Sequence, residues 1–349
     1  MSQFLKEIGE QGAALERMAS YYAGAGAGLL EEAGKLARLC RQGELIFTGM
    51  GTSQFAPEVI REKVARECQR HLMVLDAGEF LHYSLPGVKR EDLVFVLSQS
   101  GESIETRMVT EALAGRTTLI ALTNNLESTM GRKATLALPM LAGEEASIST
   151  KTYSNTVGLL LLLGEVIRGN ERGPMLERLV ACAREMTAQA GRLGAVAQEA
   201  ADFLAEAQYL HFTARGPAVA AMRQAELTWM EGTNIPVCAL TGGTFRHGPI
   251  EMAGPGHHLI CYVADDAGGR LVEKAAREVA ALGSRVVMFC GYECQPAPGL
   301  RVIALAPGDA DTFSLLTAVP QELLLDQMAA RRGKVAGIFG RIGKVTKME

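Results

Sequence analysis

The stretch whose reading decides the fold is Glu91–Ser103, "EDLVFVLSQSGES". A continuous apolar run, Leu93 to Leu97, stops abruptly at Ser98, Gln99, Ser100, Gly101, Glu102 and Ser103. A short apolar run closed by turn residues reads as a strand buried on both faces. The hydroxyls and the helical pattern beyond them read as a helix start. Two meanings are open at that turn. Ser100 could cap a helix whose first-turn Glu102 complements the dipole. Alternatively, N–H groups and hydroxyls could form a cradle for an anion.

Outward from this turn the same grammar recurs. "ELIFTGMGTSQF" (44–55) is a β-prone run, a glycine turn and then Pro57 just inside a helix reaching Arg70. "HLMVLDAGEF" (71–80) and "TTLIALTNN" (117–125) supply two more strands. Strand, turn and helix alternate at βαβ spacing, which predicts a parallel sheet covered by helices. Residues 1–40 have helical spacing. "TVGLLLLLGEVI" (156–167) is too short for a membrane span, contains Glu165, and reads as a buried helix.

The scheme repeats about 165 residues later. "YLHFTARGPA" (209–218) matches "LIFTGMGTS", "HHLICYVADDAG" (257–268) matches "EDLVFVLSQSG", and "SRVVMFCGY" (284–292) falls opposite "TTLIALTNN". The expected organisation is a helical segment over 1–40, one α/β subdomain over 41–170, a helical connection over 171–205, a second subdomain over 206–330 and a tail over 331–349. Where the first copy has Ser98, Gln99 and Ser100, the second has Ala264, Asp265 and Asp266. Two aspartates repel an anion, so only the first copy is expected to hold one.

Ligands of open α/β sheets collect outside the carboxyl ends of the strands. "GMGTS" (49–53) and "SQSGES" (98–103) share that edge. They bring together Gly51, Thr52, Ser53, Ser98, Gln99, Ser100 and Ser103, a phosphate site that needs no lysine and no metal. A dinucleotide fingerprint is a poor alternative, because the third glycine of that pattern is missing. In the second half, "GGTFRHGP" puts His247 beside a Gly-Pro pair, with Glu226, Glu231 and Glu251 near in sequence. A histidine and a glutamate together can open a sugar ring and shuttle a proton between adjacent carbons. "GEEASISTKTYSNT" (143–156) reads by itself as a helix-capping region, and "GRIGKVTKME" (340–349) as a solvated basic terminus.

Composition excludes several classes. The 349 residues include 38 Gly and carry a net charge of −4, which argues against nucleic acid and anionic lipid as partners. The seven cysteines are scattered, with only Cys290 and Cys294 close together and no second pair or histidine to complete a zinc set. Reduced thiols in a cytoplasm are expected, and no secretory signal opens the sequence.

Together "GTS", "LSQSGES", "TNN", "EEASISTK", "FRHGP" and the terminal "KVTKME" resemble the sugar isomerase (SIS) family. The likeness is to the double-SIS isomerase portion of glucosamine-6-phosphate synthase and its free-standing relatives, including an N-terminal "KEIGEQ". The resemblance implies two SIS subdomains of flavodoxin-like three-layer α/β/α form. It implies that Ser53, Ser98, Gln99, Ser100 and Ser103 bind a sugar phosphate and that Ser149 contacts substrate. His247 is implied as the ring-opening group, supplied across a homodimer interface, and Lys344 as the tail lysine at the substrate carbonyl. It implies no cofactor. The family's catalytic glutamate lies sixteen residues before the histidine, at Glu231, but the local "ELTW" pattern favours Glu226 and requires about five extra residues in "GTNIPVCALTGG". No glutaminase segment precedes the isomerase equivalent, so the expected activity is isomerisation or deamination of an amino-sugar phosphate. A fructosamine-6-phosphate deglycase would use the same residues, and a non-catalytic sugar-phosphate sensor is the reading from another class.

Overall fold

The computed structural model describes residues 1–340. It contains two parallel five-stranded sheets. The first is built from β1 (Leu45–Gly49), β2 (Leu72–Asp76), β3 (Leu93–Ser98), β4 (Thr118–Thr123) and β5 (Leu136–Pro139), in the order β2-β1-β3-β4-β5. The second contains β6 (Leu210–Ala214), β7 (Val237–Thr241), β8 (His258–Val263), β9 (Arg285–Cys290) and β10 (Leu300–Ala304), in the order β10-β9-β8-β6-β7. Both have the flavodoxin-like order 2-1-3-4-5, so the α/β expectation holds. Leu45 and Leu210, Leu72 and Val237, and Leu93 and His258 open equivalent strands, each pair 165 residues apart.

The central strands are apolar because helices cover both faces of a parallel sheet. Every residue of β1 and β3 is buried, and Phe47 stacks on Phe95 with ring centroids 4.1 Å apart. In the second sheet, Phe212 meets Trp229 edge to face at 5.4 Å, fastening helix Val219–Thr233 to β6. Each such side chain stabilises the fold by about 1.5–3 kcal/mol through burial.

Two differences from the sequence reading bear on the site. Pro57 stands at the N-cap of helix Glu58–Cys68, one position before the helix it was expected to begin. More consequentially, "VCALT" is strand β7, paired with β6 from Val237↔Leu210 to Thr241↔Ala214. It corresponds to β2, and helix Val219–Thr233 joins β6 to β7 in an ordinary βαβ step.

The contacts divide the chain into two units. One holds Ala13–Glu145 and Ser149–Ala183 with the first sheet, and the other holds Met1–Gly12, Ala146–Ile148 and Arg184–Ile338 with the second. Helix Lys151–Arg168 is buried along nearly its whole length, packed by Ala27–Leu39 and Glu58–Cys68 in its own unit. No helix among the described residues is long and apolar enough to cross a membrane.

Candidate functional site

In the first unit the chain leaves β1, forms β2 on one side, and returns to β3 on the other. The β1/β3 junction is therefore the switch point where the two following turns diverge, the place at which open α/β sheets bind their ligands. Gly51 takes φ 52°, which lets the chain turn sharply into the short helix Thr52–Phe55. Thr52 and Ser53 stand in its first turn, half-buried.

The turn after β3 settles the question raised by its serines. The following helix is Ile104–Leu113, and its N-cap is Ser103, not Ser100. The Ser103 side chain makes no capping bond; its Oγ lies 3.4 Å from Ser98 Oγ. Ser98 Oγ accepts from the Gly101 N–H at 3.2 Å, and Ser100 Oγ accepts from the Glu102 N–H at 3.1 Å. Glu102 turns away to receive the N–H and hydroxyl of Thr129, at 2.6 and 3.1 Å. The carboxylate thus serves a neighbouring helix and does not cap the Ile104–Leu113 N-terminus. Gly101 has φ +67°, and a Cβ there would stand 2.0 Å from Ser128 Oγ. Gln99 is held by its carbonyl, which accepts from the Asn124 N–H at 3.1 Å. Asn124, the middle of "TNN", also clasps the next loop, accepting from the Ala142 N–H and donating to the Gly143 carbonyl, each at 2.8 Å.

Ser149 lies half-buried just before helix Lys151–Arg168. That helix is not capped by the hydroxyls of "SIST". Glu145 does the capping, accepting from the N–H groups of Thr150 (2.9 Å) and Thr152 (3.0 Å) and from the Thr150 hydroxyl. A carboxylate five residues before the N-cap is outside the local capping signatures, which explains why the sequence did not reveal it.

In the second unit Glu226 and Glu231 share helix Val219–Thr233. Five residues at 3.6 per turn put them about 140° apart around the axis, on different faces. Glu226 accepts from the Ala239 N–H of the edge strand β7 at 2.8 Å and pairs with Arg223 at 2.8 Å. It satisfies backbone on an unpaired strand edge.

Glu231 sits in the last helical turn, where three segments of its unit meet. Beside it, Gly232 packs on Ile148 and Leu325, with a Cβ position 3.2 Å from the Ile148 side chain. The Thr233 carbonyl accepts from Arg332 Nε at 3.1 Å. Further along, Gly337 packs on Ser147 and Phe4. The 146–148 segment, which immediately precedes Ser149, is held by Glu7. This fully buried carboxylate accepts from the Ala146 N–H (2.7 Å), the Ser147 N–H (3.1 Å) and Gln3 Nε2 (2.8 Å).

His247 ends the short helix Gly242–Arg246 and is exposed, with Arg246 paired to Glu278. Two residues earlier, buried Phe245 packs against His211 and His257, at 6.0 and 6.4 Å. Those two histidines share a hydrogen bond of 2.8 Å, and His257 Nδ1 meets Ser284 Oγ at 3.0 Å. Burial lowers both, His257 to about 4 with His211 and His258 adding to the effect, so both rings are neutral at pH 7.

At the second sheet's own switch point, Asp266 accepts from the Gly269 N–H at 2.6 Å and caps helix Ala267–Ala281. Asp265 pairs with Arg270 at 2.7 Å. Where the first half carries the serines of its β3 turn, the second half carries carboxylates. All seven cysteines are free, with Cys290 and Cys294 Sγ atoms 3.1 Å apart. Lys344 lies outside the described residues.

Two parallel sheets of flavodoxin-like order, one with hydroxyl-rich turns at its switch point, define the class as a two-subdomain α/β protein. Residues 38–164 match the SIS domain model, and the second sheet repeats the strand order of the first. The chain resembles glutamine–fructose-6-phosphate aminotransferase (isomerizing) of Bacillus subtilis, 26% identical over 343 residues, covering 94% of this chain and 55% of that one. It therefore spans about half the length of the curated relatives it matches. Among solved structures it superposes on the C-terminal domain of glucosamine-fructose-6-phosphate aminotransferase from Francisella tularensis, with TM-score 0.86, 19% identity and coverage of 97% and 98%. The glucosamine-6-phosphate deaminase of Thermotoga maritima gives TM-score 0.76 at 20% identity, with 99% of each chain covered. Those two likenesses establish the fold.

Proposed function

We propose that the protein acts on a 6-phosphorylated sugar or amino sugar, as an isomerase/deaminase. The observation that supports this reading is the switch point of the first sheet, whose two turns carry Gly51, Thr52, Ser53, Ser98, Gln99, Ser100 and Ser103, with Ser98 Oγ and Ser103 Oγ 3.4 Å apart. One exposed helix end contributes only ~0.3–1 kcal/mol to anion binding, so several hydroxyl and N–H donors acting together are needed. The similarity to aminotransferase and deaminase sequences and folds supports a hexose 6-phosphate frame.

In this reading His247, from a second copy of the chain, moves the ring-opening proton. Glu231 takes the proton from carbon 2 of the opened amino sugar and returns it at carbon 1. The imine left at carbon 2 is hydrolysed, water entering and ammonia leaving. Ser149 orients the sugar, and Lys344 acts at the carbonyl carbon. Glu231 is preferred to Glu226 because its end of the helix meets the segment leading into Ser149 and the segment leading to the tail.

A fructosamine 6-phosphate would use the same groups in the other direction. The proton moves from carbon 1 to carbon 2, and hydrolysis of the imine at carbon 1 releases an aldose phosphate and an amine. Incubation with glucosamine 6-phosphate and with fructosamine 6-phosphates of amino acids, measuring ammonia against amino acid, separates the two. Binding of both without any turnover would leave a sugar-phosphate sensor.

A further inference from the structure

We propose that Glu7 is a positioning residue, whose buried carboxylate anchors the 146–148 segment and through it the Glu231 helix end and the start of the tail. The catalytic role of Glu231 rests on the proposed function; the anchoring itself does not.

Glu7 is fully buried, yet it is an acid from the opening helix Gln3–Ala23. A buried carboxylate persists only where hydrogen bonds replace its hydration. Both oxygens are used on one short segment, Oε1 on the Ala146 N–H and Oε2 on the Ser147 N–H. Bonds from N–H to a carboxylate are roughly twice as strong as those between neutral groups. The pair therefore fixes both the place and the direction of three residues that belong to no helix or strand.

Those three residues carry contacts out of proportion to their number. Ile148 is the surface on which Gly232 rests, next to Glu231. Ser147 is the surface on which Gly337 rests, and Phe4 of the Glu7 helix completes that seat at 3.4 Å. Gly337 has φ +85° and a Cβ would stand 2.5 Å from Ser147 Oγ, so the tail's path depends on where Ser147 lies. Arg332, through the Thr233 carbonyl, ties the tail back to the Glu231 helix. The same opening helix is locked at Gln11, whose Nε2 donates to buried Glu322 at 2.6 Å. Glu7 is thus an anchor one step removed from the proposed chemistry, and it touches no substrate.

The test compares Glu7→Gln and Glu7→Asp with the unaltered protein. Glutamine has nearly the same shape but turns one acceptor into a donor facing an N–H; aspartate keeps two acceptors on a shorter arm. Amide hydrogen exchange at 144–150, 228–234 and 332–338 should rise together in Glu7→Gln by tenfold or more, and recover at least partly in Glu7→Asp. Exchange in 93–104 should stay unchanged, which shows that the chain still folds. Where turnover of an amino-sugar phosphate is measurable, kcat should fall at least tenfold in Glu7→Gln with KM within a few-fold, and Glu7→Asp should restore part of it. Increased exchange confined to 144–150, or unchanged everywhere, overturns the anchoring. So does a globally exchanging Glu7→Gln together with a Glu7→Asp variant indistinguishable from wild type in all three segments and in kcat. If the unaltered protein turns over no phosphosugar, the functional reading fails while exchange still decides the anchoring.

Discussion

At the scale of single residues, the two glutamates of helix Val219–Thr233 make opposite predictions. Glu231→Gln should lower turnover by about 10²–10⁴-fold, the usual contribution of a general base, while leaving phosphosugar binding intact by calorimetry. Glu226→Gln keeps an acceptor for the Ala239 N–H and loses the Arg223 pair. It should cost about 1 kcal/mol or less in denaturant unfolding and spare most activity. The reverse pattern would return the base to Glu226. In the turn after β3, Gly101→Ala forces a side chain into positive φ, at about 1–2 kcal/mol, and drives its Cβ onto Ser128 Oγ. Loss of phosphosugar affinity by at least tenfold, read by calorimetry, is expected; an unchanged affinity would detach this turn from the ligand.

At the scale of elements, the strands with long buried runs could be read directly from the sequence, because β1, β3, β4, β6, β8 and β9 are apolar between clear turn signals. The same property made the repeat visible. Strand β7 was hidden for a physical reason: it is an edge, with Val237 and Leu240 half-buried and Cys238 and Thr241 exposed. Its polar setting and the Gly-Gly after it carry no long buried run by which a strand is read. Strands β5 and β10 are also edges and were missed. The hydroxyls of the two turns could be located because they adjoin the strands that carry them. The anchors could not, since Glu7 and Ala146 are distant in sequence and Glu145 caps from outside the usual positions. The joint between tail and helix can be tested at this scale too. Arg332→Ala removes the link between the tail and the Thr233 carbonyl. It should lower kcat more than it raises KM, and it should raise amide exchange in 332–338; equal activity and exchange would show that the link is dispensable.

At the scale of the whole molecule, the buried His211–His257 pair ties stability to pH. Their folded values lie below the ordinary histidine value near 6.5, with His257 at about 4. Between those values the unfolded chain binds more protons, so stability rises with pH and is lost as pH falls from about 6.5 toward 4. The His257 shift corresponds to at most about 3 kcal/mol. Thermal unfolding should therefore shift to lower temperature between pH 7 and pH 5. The His211→Gln/His257→Gln double variant should flatten that slope, whatever its absolute Tm, and an unaltered slope would clear the pair. Because Phe245 packs against both rings, acid should also disturb the helix that ends at His247.

The opening helix has one further consequence, for the order of events during synthesis. Gln11 finds Glu322, and Glu7 finds Ala146, within a unit whose strands all come from the second half of the chain. The opening helix therefore emerges well before the partners it needs. The first sheet draws on Ala13–Ala183 and can close while the ribosome is still working. The second cannot, and pairing over such separations is slow because the loop must close before any contact forms. Folding should thus proceed in two stages, with the serine turns of the first sheet formed well before the helix that carries Glu231.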